Sequence, residues 1–118
     1  MVKKILFVAY RSPVGTIWIN EAFRTALGMY GEDLEPSVLL MDAAVVAFSA
    51  RLNPRLIGLL PCTLAQKQLQ RFETRLYAVR EDIERYKVEE IDQGYAVSLV
   101  SAGELSELFH MHDSVVFM

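Results

Sequence analysis

The sequence is short of the residues that usually announce a chemistry. Its 118 residues include one cysteine, Cys62, and two histidines, His110 and His112. One thiol can neither close an intramolecular disulfide nor build a cysteine-rich zinc site, which points to a reducing compartment. Two imidazoles at i, i+2 face different sides of a helix, and no third ligand stands near them. No metal is therefore expected, and both histidines read as helix-end or surface residues. The glycine patterns that cradle nucleotide phosphates are missing too, so no cofactor is implied. No Ser–His–Asp set and no paired carboxylates follow from the spacing. Long apolar runs are also lacking. Ile5 to Tyr10 stops at Arg11, shorter than a signal-peptide core or a bilayer span, and no small-residue cleavage site follows Lys3-Lys4 and this run. A soluble, cytoplasmic chain is expected. With a net charge of −3 there is no electrostatic reason to expect nucleic acid or a membrane as partner.

What is present is hydrophobic and ordered in pattern. Apolar residues make up 53% and charged residues 23%, which excludes disorder, and the length suits one domain over residues 1–118. Ile5 to Tyr10 reads as a strand buried on both faces, ended by Arg11-Ser12-Pro13-Val14-Gly15. Thr16 is placed to cap a helix with Trp18, Ala22, Phe23, Ala26, Leu27 and Tyr30 at helical spacing and Gly31 as its stop. Pro36 to Met41 is a second strand, ended by Asp42. Ala43 to Ala50 is a short helix, Arg55 to Pro61 a loop and Thr63 to Phe72 a helix. Arg75 to Glu81 forms a third strand, and Asp82 caps a short polar helix. Tyr95 to Val100 is a fourth strand. Ser101 and Glu104 have capping-box spacing before Leu105, Leu108 and Phe109. Ser114 to Met118 is the fifth strand.

Strands that alternate with helices imply parallel pairing, hence an α/β domain with a five-stranded, mostly parallel sheet flanked by helices. Ligands in such sheets sit at the carboxyl ends of strands. Arg11, Ser12, Gly15, Thr16 and Trp18 after the first strand, and Asp42 after the second, are therefore the first places to look for binding or interface residues. Each has a plainer role as well, in a rigid turn and cap around Arg11 to Thr16 and in capping the next helix for Asp42. Cys62, between Pro61 and Thr63, opens a predicted helix, a setting that favours thiolate, although a buried and inert thiol is the simpler reading.

Lys3 to Val8 followed by Arg11-Ser12-Pro13-Val14-Gly15-Thr16-Ile17-Trp18 resembles the opening of the DsrE/DsrF/DsrH (TusB/C/D-like) sulfur-relay family, closest to its DsrF/TusC branch. Val38 to Asp42 resembles the branch's second strand and acidic end. Leu76 to Ile83 resembles its third strand and turn, and Ala102 to Leu108 with His112 to Phe117 its closing helix and strand. The resemblance covers nearly the whole chain and implies a three-layer DsrE/F-like domain. Active members of the family carry persulfide on a cysteine just after the third strand. Here Val79, or at most Arg80, falls at that place, and Cys62 lies well upstream. The resemblance thus implies a non-catalytic subunit of a sulfur-relay complex, whose partners are DsrE-like and DsrH-like subunits. Two alternatives stay open: a sulfurtransferase that uses Cys62, and a homo-oligomeric small-ligand-binding module. Consecutive Ile17-Trp18-Ile19, the trio Val45, Val46 and Phe48, and Leu56, Ile57, Leu59 and Leu60 around Gly58 predict exposed apolar surface, and with it association.

Overall fold

The computed structural model describes residues 3–11, 18–28, 34–48, 74–88, 91 and 96–118, with the backbone alone for 18–20 and 27. Five short, apolar stretches become strands: β1 (Lys3–Ala9), β2 (Leu34–Leu40), β3 (Arg75–Val79), β4 (Val97–Val100) and β5 (Ser114–Phe117). They form one sheet in the order β4-β3-β2-β1-β5, and every pairing is parallel. The chain adds β2, β3 and β4 in one direction and then crosses back to lay β5 on the far side of β1. Pro36 lies within a central strand, yet β3 pairs with β2 only from Ser37 onward. At Pro36 the strand therefore has β1 alone beside it, where a missing N–H is tolerated.

Alternate residues of the strands face two separate cores. On the first face Phe7, Ala9, Val38, Leu40, Leu76 and Ala78 pack with Ala22, Phe23 and Ala26 of helix α1 (Trp18–Gly28). The same core takes Ala44, Val45, Ala47 and Phe48 from a 3-10 helix (Asp42–Phe48) and Ile83 from helix α2 (Arg80–Arg85). On the second face Leu6, Val8, Leu39, Tyr77 and Val79 lie under Leu108, with Leu105 and Phe109 beside it, all from helix α3 (Leu105–His110). The Cα radius of gyration, 13.4 Å, is that of one compact domain, about 13 Å for 100 residues.

The structure corrects several sequence expectations. The segment after Asp42 is a 3-10 helix, not the α-helix expected from Ala43 to Ala50. Three residues per turn bring Ala44 over Ala47 and Val45 over Phe48, and both rows point into the core. Val45 and Phe48 are fully buried, so they offer no surface for association. The third strand ends at Val79 rather than Glu81, because Arg80 and Glu81 already belong to α2. Val79 is the residue at the helix boundary, and Asp82 lies inside the helix instead of capping it. The capping box holds as expected, with Ser101 and Glu104 satisfying each other's backbone N–H groups. Ser12, Gly15, Thr16, Cys62 and the segments 51–73 and 92–95 lie outside the described residues, and so does the Trp18 side chain.

Candidate functional site

In open parallel sheets the binding crevice opens where neighbouring strands send their connections to opposite faces. The helices that follow β1, β2 and β3 pack on the first face, and the helix that follows β4 packs on the second. Since β3 and β4 are neighbours, the crevice lies between their carboxyl ends. The residues there are Val79, Arg80 and Glu81 after β3, and Ser101, Ala102 and Glu104 after β4.

Val79 is 2% exposed and sits in the second core. Arg80 is exposed beside it. The turn after β4 presents backbone N–H groups to the crevice, and carboxylates take two of them. Ala102 N–H donates to Glu81 Oε2 at 2.6 Å, which ties the two sides of the crevice together. Ser101 N–H donates to Glu104 Oε1 at 3.0 Å. The bonds from Ser101, backbone first and side chain second, hold the Glu104 carboxyl below its ordinary value of 4.5 by favouring the charged form.

One strand further along, Asp42 gathers a second cluster. It has φ 52°, a left-handed conformation that Asp tolerates better than most residues. Its N–H donates to Asp82 Oδ2 at 2.6 Å. Its carboxylate accepts from Arg85 Nη2 at 2.6 Å and from the Tyr86 hydroxyl at 2.7 Å, while Arg85 also lies 3.0 Å from Asp82 Oδ1. The Arg85 guanidinium sits 4.9 Å from the Tyr86 ring centre, within cation–π range. The hydrogen bond to Asp42 is the main reason the Tyr86 phenol is held above its ordinary value, with desolvation and the Asp42 charge adding to it. Asp42 thus joins the end of β2 to α2, a role beyond the cap expected for it. Arg11 follows β1 and lies exposed, 6.0 Å from the Tyr10 ring centre.

Sequence reasoning named Asp42 and Val79 but missed their partners. Asp82 and Arg85, spaced i, i+3, carry a signal, but in the sequence Asp82 reads only as the cap of a short polar helix. Glu81 and Ala102 gave none, for they meet only because β3 and β4 are adjacent.

A scan against protein-family models finds no match, and neither does a search of curated proteins. Solved structures do match. The YchN protein from E. coli superimposes with a TM-score of 0.81 over 99% of this chain and 100% of its own, at 18% identity. BT1422 from Bacteroides thetaiotaomicron, a conserved protein of unknown function, gives 0.66 over 97% of this chain and 94% of its own, at 13% identity. At these identities the likeness is one of fold. The chain has the α/β fold of YchN.

Proposed function

We propose that this chain is a non-catalytic, DsrF/TusC-like subunit of a cytoplasmic sulfur-relay complex. It assembles with cysteine-bearing DsrE-like and DsrH-like subunits and shapes the sites at which they exchange persulfide. The observation that carries this reading is at the end of β3. A relay cysteine there has to be an accessible thiolate, since the thiol is a poor nucleophile. The resemblance puts Val79, or at most Arg80, at that place: neither is a cysteine, Val79 is 2% exposed and packed into the core, Arg80 is exposed beside it, and Glu81 next to them is tied to Ala102 N–H. Such a crevice suits a rigid support better than a sulfur carrier. The α/β fold shared with YchN is consistent with the domain that the resemblance implies. Apolar surface at the sheet edge, where Val116 is 41% and Phe117 58% exposed, is consistent with a subunit that associates.

Co-expression with DsrE-like and DsrH-like subunits from the same cell tests the reading. The expected result is a stable complex that contains all three chains after size-exclusion chromatography and dilution. A chain that stays monomeric in the presence of both partners would overturn it.

A further inference from the structure

The second face of the sheet changes character along its length. At its carboxyl half it is apolar, with Leu6, Val8, Leu39 and Val79. At its amino half the same alternation brings up Lys4 on β1, Glu35 and Ser37 on β2, and Arg75 on β3. Helix α3, six residues long and so about 9 Å, cannot cover strands that run about 23 Å. Where it ends, Met111 and His112 close over the polar rows. The result is a small cavity lined by Lys4, Glu35, Ser37, Arg75, Tyr77, Met111 and His112. It holds one oxygen-sized group.

The lining is built to receive something. Ser37 is 3% exposed and Tyr77 9%. Neither hydroxyl has a hydrogen bond to another side chain or backbone group among the described residues. No buried side-chain oxygen lacks a partner among the described residues, so both hydroxyls reach the open space of the cavity, where a water or a ligand can meet them. His112 Nδ1 lies 2.8 Å from Leu108 O. A carbonyl only accepts, so Nδ1 carries the proton and Nε2 is the nitrogen left for a ligand. On the rim, Lys4 and Arg75 form no ion pair among the described residues. Within the lining, two cations against one carboxylate, together with two hydroxyl donors open to the cavity, favour an anion.

We propose that this cavity is a phosphate site, which takes inorganic phosphate or the terminal group of a phosphate monoester. One oxygen, a P–OH, enters between Ser37, Tyr77 and His112, where it accepts from the two hydroxyls and donates to His112 Nε2, and the remaining charge rests between Lys4 and Arg75. The arginine fork suits that geometry. The site lies at the opposite end of the strands from the β3/β4 crevice, so it is independent of the sulfur-relay reading.

The test is a titration of the full chain with inorganic phosphate, and in parallel with glycerol 3-phosphate, at constant ionic strength, followed by amide NMR. Saturable shifts are expected at Lys4, Ser37, Arg75, Tyr77 and Met111 to Asp113, and not at Asp42 or Ser101. Arg75→Gln and Ser37→Ala should each weaken binding about tenfold, the effect of one lost hydrogen bond to a charged group, with an unchanged melting temperature. Tighter binding of the monoester would name an organic phosphate as the occupant, and equal or tighter binding of inorganic phosphate the free ion. Shifts that grow linearly, that chloride reproduces, or that survive both substitutions would overturn the proposal.

Discussion

Val79 and Arg80 are neighbours with opposite surroundings, and the account turns on that difference. Val79 ends β3 inside the second core, whereas Arg80 opens α2 in solvent. Burial in apolar surroundings raises a thiol's pKa and shields it. In a Cys62→Ser background, Val79→Cys should therefore react with an aromatic disulfide reagent on the order of tenfold more slowly than Arg80→Cys. Equal rates would mean that the end of β3 is open, and the crevice would have to be redrawn. Asp42 shows what a single residue hides from the sequence. Its place at the end of a strand was legible from Val38-Leu39-Leu40-Met41-Asp42 alone. Its bonds to Arg85 and Tyr86 were not, because they depend on how β2 and β3 are set side by side.

Among the elements, the segment after β2 departs furthest from its sequence pattern. Ala-Ala-Val-Val-Ala-Phe looks like a helix with too many apolar sides only when it is counted at 3.6 residues per turn. At three residues per turn Val45 and Phe48 are core, and Val46 is the half-buried one. Phe48→Ala should then cost about 3–5 kcal/mol in urea unfolding, as a fully buried aromatic does. A loss no larger than that of Val46→Ala would return Phe48 to the surface. The turn after β4 was legible in full, since Ser101 and Glu104 carry the capping-box spacing in the sequence and form it in the structure. Its charge leaves a signature in pH. A carboxyl whose folded pKa is depressed stabilises the fold above its unfolded value, and that contribution is lost as pH falls through the folded value. Glu104→Gln should thus melt below the wild type at neutral pH, with the gap closing as pH drops below the ordinary value of 4.5. A gap that is constant from pH 7 to pH 3 would show that the charge of Glu104 does not contribute.

For the whole molecule, the alternation of strands and helices was enough to give a parallel five-stranded sheet, because parallel strands need crossovers. The location of the crevice was not, since it depends on which face each helix covers. Sequence inspection went first to the loop after β1 and to Asp42, whereas the change of face falls between β3 and β4. No helix among the described residues is long and apolar enough to cross a membrane. Of the three apolar stretches expected to drive association, the 3-10 helix is withdrawn into the core, while Ile17-Trp18-Ile19 and Leu56 to Leu60 lie outside the described side chains. Apolar surface is exposed at the edge strand, where Phe117 meets Phe109 edge-on at 5.9 Å and is still 58% exposed.

The central claim is that sulfur passes by this chain and not through it. A DsrE-like partner loaded with persulfide, mixed with this chain and a DsrH-like acceptor, and followed by intact-mass spectrometry, tests that most directly. The account predicts that the added sulfur atom moves from one partner to the other, faster when this chain is present, while the mass of this chain stays constant and Cys62→Ser changes nothing. One sulfur atom appearing on this chain at Cys62, with transfer abolished in a correctly folded Cys62→Ser variant, would contradict it.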